Sequence, residues 1–262
     1  MVLVPVQKSS ISDAVFEQLR SEIVQGRIAA NADLPSEREL SQTMQVNRHA
    51  VREAVRRLEQ AGLVQSQHGT GNKVLDFRQH AGLGLLPDLL VTADGDINTA
   101  MVRSVLELRH ALAPAVARAC AQRGGPARAD RLYGLAVELA AEDDLPLLQK
   151  YALDFWEEVV QGSDNLAYRL AFNSLRHLYE PTQEVLATVL ESELRASWLY
   201  QALAEACVQG LAEEAALAAQ ALARKGLDAV VLAIAAYDAE SATAAAAAVQ
   251  PAVRTPPQTA QS

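Results

Sequence analysis

The sequence predicts a mainly α-helical chain in two parts, three short helices closed by a β-hairpin and then an all-helical bundle. Three observations predict it. Apolar residues recur at helical spacing up to Ala61, two short extended runs around a Gly-containing turn follow, and beyond Phe77 no alternating strand pattern is present. The 262 residues are ample for a buried core, and a 50% hydrophobic, 21% charged composition is ordinary for a soluble globular protein. Only 5% of residues are aromatic and Ala is abundant, which favours packed helices over sheets.

Taken in order, Ile11, Val15, Leu19 and Ile23 repeat every four residues and predict a first helix. Ser36 and Glu39, with Pro35 just ahead, have the spacing of a capping box for a short second helix. Asn47 is a good N-cap for a third helix that runs to about Ala61 and is stopped by Gly62. The hairpin comprises residues 63–67, a tip at 68–72 and a return strand at 73–75. Three helices and a hairpin in this length outline a winged helix-turn-helix. Amphipathic stretches then run over roughly 98–123, 127–141, 145–161, 165–192, 194–209, 211–225 and 227–239. Breaks are expected at Gly124-Gly125-Pro126, Gly162, Pro181, Gly210 and Gly226, giving a bundle of six or seven helices. The expected organisation is a winged domain over 1–77, a linker and connecting helix over 78–97, a helical domain over 98–240 and a disordered tail over 241–262.

The net charge of −9 would argue against a nucleic-acid partner if it were uniform. It is not. Residues 1–77 hold nine Lys/Arg and nine Asp/Glu, so all the excess acidity lies in 78–262. Local clustering decides whether a phosphate-binding face exists. The two cysteines, Cys120 and Cys207, lie too far apart in sequence for a short metal motif and fit a reducing cytosol. No basic and apolar leader opens the chain, and the apolar run at 230–236 is too short to span a bilayer. A cytoplasmic location with no membrane partner is therefore expected.

The third helix carries Arg48, Arg52 and Arg56 at i, i+4 and i+8, which stacks three guanidinium groups on one face. Val51, Val55 and Leu58 form another face suited to burial, and Arg57 lies at the margin. Such a helix suits a DNA major groove, where arginine pairs with guanine edges or clamps phosphates. His49 stands at the helix start, and Arg38 near the positive end of the second helix. The alternative is a solvated charged face balanced by Glu53 and Glu59.

The run Leu34-Pro35-Ser36-Glu37-Arg38-Glu39-Leu40-Ser41, then Val46-Asn47-Arg48, Val51 to Leu58 and Gly62-Leu63-Val64, resembles the N-terminal domain of the GntR family of bacterial regulators. The resemblance implies that Arg38, Arg48 and Arg52 are the principal DNA contacts. It places Asn47, His49 and Ala50 at the helix tip and His68 and Gly69 in the wing. His49-Ala50 stands where relatives often carry Thr, so no operator sequence transfers.

Further segments are similar to the FadR branch, the fatty-acid regulators: Gln67-His68-Gly69, Ala81-Gly82-Leu83, Gly162-Ser163-Asp164-Asn165 and Phe172 to Tyr179. Many GntR regulators with helical sensors bind a metal through one Asp and three His. Aligning on Phe155 and Asn165 puts Ala152, Trp156, Tyr200 and Leu222 at those positions, which cannot hold a divalent ion, so neither metal nor other cofactor is expected. The resemblance implies a pocket for a long-chain acyl-CoA or other lipid-derived ligand, with Arg109 and Tyr179 matching residues of that site and Trp156 lining it. Arg109 on an amphipathic helix is more often a surface or interhelical ion-pair residue, and Tyr179 and Trp156 more often core or cavity lining. The expected function is a homodimeric, ligand-controlled, DNA-binding regulator. A regulator answering a non-lipid metabolite is the alternative. No Ser/His/Asp arrangement, phosphate loop or metal cluster supports an enzyme.

Overall fold

The computed structural model describes residues 11–67, 71–92, 95–179 and 183–249, with side chains described throughout except at 179, 183–185 and 241–249. The described residues fall into two compact units, one within 11–105 and 164–183, the other within 106–163 and 184–249.

In the first unit, α1 (Ile11–Val24) buries Val15, Phe16, Leu19 and Ile23. Ile11, expected on this stripe, is exposed, and Phe16 takes up the core contact instead. The short α2 (Glu37–Thr43) starts at the expected capping box. Ser36 Oγ accepts from the Glu39 amide at 3.3 Å and the Glu39 carboxylate accepts from the Ser36 amide at 2.9 Å. In α3 (Arg48–Gln60), Asn47 Oδ1 accepts from the Ala50 amide at 2.8 Å, which satisfies one of the orphan N–H groups of the first turn. Asn47→Ala is expected to cost about 1 kcal/mol, measured by chemical denaturation.

Gly62 ends α3 at φ +73°, and a Cβ there would stand 2.5 Å from the His80 carbonyl oxygen. Strands β2 (Val64–Gln67) and β3 (Gly71–Val74) form the antiparallel hairpin, with Val64 opposite Val74 and Gln67 opposite Gly71. A third strand, β1 (Asp33–Leu34), pairs with the other edge of β3. Two residues are too few to show a strand period, so the sequence carries no sign of it.

The linker region is ordered into α4 (Phe77–His80), a 3₁₀ turn at Leu83–Leu85 and α5 (Leu86–Leu89). Leu85 and Leu89 pack into the same core as α1 and α3. Arg20 of α1 meets Asp88 of α5 at 2.6 Å. Burial raises the Asp88 carboxyl above its ordinary range, and the Arg20 charge opposes this. Against α5 and the 3₁₀ turn packs α9 (Leu166–Tyr179), which thus belongs to the same unit as the winged domain.

The helix α6 (Thr99–Arg123) enters the second unit at Leu106. There follow α7 (Ala129–Ala141), α8 (Leu145–Gly162), α10 (Gln183–Val189), α11 (Glu191–Leu194), α12 (Ser197–Gln209) and α13 (Ala212–Val249). Helix α7 packs on α8 and α12, α12 on α13, and α11 on both α8 and α13. The turn after α6 brings backbones together. A Cβ on Gly125 would collide with the Cys207 carbonyl oxygen. Gly125→Ala must therefore shift α12 against α6, and a clear drop in the thermal transition is the expected result.

The stretch 165–192, in which a break was expected at Pro181, comprises α9, α10 and the start of α11. One expectation is corrected. Gly226 does not end a helix, because α13 runs through it to Val249. Its role is a close contact in the second unit.

Candidate nucleic-acid interface and ligand core

The interface is built on α3, whose inward face carries Ala50, Val51, Ala54, Val55 and Leu58, all buried against α1 and α2. The opposite face leaves Arg48, Arg52 and Arg56 exposed, with Arg52 and Arg56 side chains 72% and 65% accessible. Arg52 donates to the Glu37 carboxylate at 3.1–3.3 Å, and that hydrogen bond raises its pKa. Arg56 donates to Glu53 at 3.3 Å. These pairs lie in water, where they are screened and readily exchanged. Among the described residues, Arg38 and Arg48 form no ion pair and stand exposed. Arg57 is set apart from this row. It lies over the Phe16 ring at 4.2 Å and donates to Asp13, so it fastens α3 to α1.

At the tip of α3, Asn47 and His49 are exposed. Ala50 is not available as a side-chain contact. Its methyl is buried and its amide is bound by the cap. His68 and Gly69 lie outside the described residues, as does the Tyr179 side chain.

In the second unit, Arg109 on α6 reaches Glu193 on α11. Arg109 Nη1 donates to Glu193 Oε2 at 2.8 Å and Nη2 donates to Oε1, a two-pronged pair. Glu193 is only 2% exposed. Gly226 closes over the pair, since a Cβ there would collide with Glu193 Oε2 and lie 2.9 Å from Arg109 Nη1. This explains a glycine in the middle of α13. A helix interior tolerates the loss of about 1 kcal/mol relative to Ala when a side chain would collide with a buried ion pair. Arg109 thus already holds a carboxylate, one supplied by the chain.

Trp156 is buried on α8, together with Ala152 on the same helix, Tyr200 on α12 and Leu222 on α13. The edge of one ring meets the face of the other between Phe155 and Tyr200, with centroids 5.3 Å apart. Gln149, 1% exposed on α8, has no hydrogen-bond partner for either carboxamide atom among the described residues, and the Trp156 indole nitrogen has none either. An unmet buried polar group costs about 1–3 kcal/mol. Among the described residues no group of three or more metal-ligating side chains converges.

Comparison with known proteins agrees with this geometry. Residues 11–74 match the family described as bacterial regulatory proteins, gntR family, and residues 75–230 match the FadR C-terminal domain. The chain belongs to the GntR family, in its FadR-like branch. It is 40% identical over 222 residues to the HTH-type transcriptional regulator Mce2R of Mycobacterium tuberculosis, covering 85% of this chain and 92% of that one. It is 29% identical over 194 residues to the fatty acid metabolism regulator protein of Escherichia fergusonii, covering 74% and 80%. The Listeria monocytogenes protein Lar shares the fold at a TM-score of 0.53 and 14% identity, over 86% of this chain and 99% of that structure.

As a GntR-family transcription regulator of FadR type, the chain is mainly α-helical, with the three-stranded wing sheet its only sheet among the described residues. Among those residues no helix is long and apolar enough to cross a membrane. Sequence reasoning did not anticipate Glu193 or Gln149, and took Gly226 for a helix break. Glu193 sits 84 positions from the arginine it serves. Gln149 has the look of an ordinary polar helix residue until its burial is known.

Proposed function

We propose that this regulator acts in the cytoplasm as a homodimer on a two-fold operator, and that a lipid-derived small molecule controls its binding. The exposed row of Arg48, Arg52 and Arg56 on a helix whose other face is buried supports this reading above all. Inserted in the major groove, Arg48 and Arg52 would read base edges, with Arg38 on phosphate and Asn47 and His49 at the tip. The Ala50 contribution would be limited to shape. The wing residues His68 and Gly69 would lie along the adjacent backbone. Phosphate would take the place of Glu37 on Arg52, because an exposed pair yields readily to a polyanion.

The effector reading draws on the FadR-type helical domain and on the name carried by the fatty-acid relatives. Arg109, Tyr179 and Trp156 are its proposed residues, and a long-chain acyl-CoA its specific candidate. Helix α9 packs on α5, and α5 is joined to α1 through Arg20–Asp88, so a shift in α9 would reach the DNA-binding helices. The ligand must favour one arrangement for this to act as a switch. A second reading, an uncharged effector, is favoured by the Arg109–Glu193 pair, which leaves an anionic head group no unpaired guanidinium there.

Gel shifts on the promoter of its own gene test the proposal. A sequence-specific shift that weakens steeply with salt is expected, and a long-chain acyl-CoA is expected to alter it. Absence of any specific shift at moderate salt would reject operator binding. A shift unmoved by acyl-CoA would reject that ligand and favour the uncharged one.

A further inference from the structure

The effector site can be given a chemistry from α8. At 100° per residue Gln149 and Trp156 lie within 20° of one another, two turns apart on one face. Ala152, Leu153 and Val160 complete that stripe, so it carries no ionisable group. Gln149 is 1% and Trp156 8% exposed. Among the described residues neither the Gln149 carboxamide nor the Trp156 indole N–H has a hydrogen-bond partner. Of the elements packed on α8, the 3₁₀ turn at Pro126–Arg128 brings a cation, but Arg128 pairs with Glu158 at 3.3 Å, on the side of α8 opposite Gln149. Helix α7 turns Leu132, Leu135, Ala136 and Leu139 inward, and the Glu193 of α11 is held by Arg109.

We infer that Gln149 and Trp156 are the two polar ends of a binding site for an uncharged, mainly apolar small molecule bearing a hydroxyl or carbonyl group at each end. This rests on the reading of the helical domain as the effector domain and specifies what it recognises. A buried polar group is almost always paired, so two unpaired groups on one face mark where a partner is missing. Gln149 offers both a donor and an acceptor, which suits a hydroxyl or an amide. Trp156 offers a donor only, which calls for an acceptor such as a carbonyl, hydroxyl or ether oxygen. Seven residues of helix separate them by about 10 Å, roughly the reach of an eight-carbon chain. The small Ala152 between them keeps the intervening stretch low. An anion is disfavoured because the stripe itself carries no cation and Arg128 is held by Glu158.

The probes are terminal octanediol, octanol and octanedioic acid, titrated into the full-length chain. Trp198→Phe and 5-fluorotryptophan labelling leave Trp156 as the single fluorine reporter, because the sequence has two tryptophans. The diol is expected to shift the Trp156 resonance and to bind about tenfold tighter than octanol, with the diacid weakest. Gln149→Leu, close in shape but apolar, is expected to abolish the preference for diol over octanol while raising the thermal transition of the free protein. Binding of diol and octanol with equal affinity, or a preference that survives Gln149→Leu, would overturn the site. So would a Gln149→Leu chain that melts lower than the parent, since ordered water would then be meeting the carboxamide. Gel shifts with the diol separate this from the effector reading. A diol that binds with the stated preference yet leaves operator binding unchanged upholds the site and rejects its regulatory role. An operator response to acyl-CoA that persists fully in Gln149→Leu upholds effector control and overturns this site as its source.

Discussion

Operator affinity falls by at least about thirtyfold when Arg48 and Arg52 are both replaced by Ala, while the circular dichroism spectrum is unchanged. The magnitude follows from about 1–3 kcal/mol for each arginine that forks onto a base edge. Folding should be spared because both side chains are exposed and their face of α3 carries no core residue. Among the described residues the native partner lost is Glu37, which is itself near water and keeps its hydration. Arg57→Ala is the informative contrast. Its guanidinium packs on Phe16 and pairs with Asp13, so its loss should appear in the stability of the winged domain more than in base recognition. Competition with random-sequence DNA separates the two roles. An arginine on a base edge contributes to the ratio of specific to non-specific binding, whereas one on phosphate mainly contributes to the salt slope.

Glu193→Ala is the second large effect, and it acts on stability. Removing the carboxylate leaves the Arg109 guanidinium, 16% exposed, with its buried partner gone. Breaking one side of a buried pair costs about 3–5 kcal/mol. In a chain of this size that corresponds to a drop of about 10 °C in the transition of the helical domain. Arg109→Ala should cost a similar amount, since it strands Glu193. Replacing both by apolar residues of similar volume, Arg109→Met with Glu193→Leu, is expected to recover most of the loss. The pair alters how an Arg109 variant must be interpreted. Lost effector response in Arg109→Ala would follow from a loosened α6–α11 junction as readily as from a missing ligand contact. The double apolar variant distinguishes the two, because it restores packing without restoring the cation.

The parts of the fold that depend on neighbours in sequence were legible from it. Ser36 with Glu39 and Asn47 marked two helix starts to the residue, because each cap satisfies an amide three positions on. The arginine row was legible for the same reason, as helical spacing alone decides which face it shares. Ala50 shows the limit. Family likeness put it at the tip, but burial turns its methyl inward. What long-range contacts decide was hidden. Gly226 reads as a helix breaker until Glu193 and Arg109 are known to lie where its side chain would go. Strand β1 exists only because β3 offers a free edge. For the ligand core, the sequence supplied residue types but not which polar groups would be sealed from water, and that is what singles out Gln149.

Hydroxyl-radical footprinting on a selected operator, comparing the native chain with the Arg48→Ala/Arg52→Ala chain, tests most directly that α3 reads DNA. The native protein should protect two segments with centres about 34 Å apart along one duplex face, one for each subunit's helix. The doubly substituted protein, folded and at equal concentration, should leave those segments open. The same protected pattern in both proteins would contradict the assignment of α3 as the reading helix.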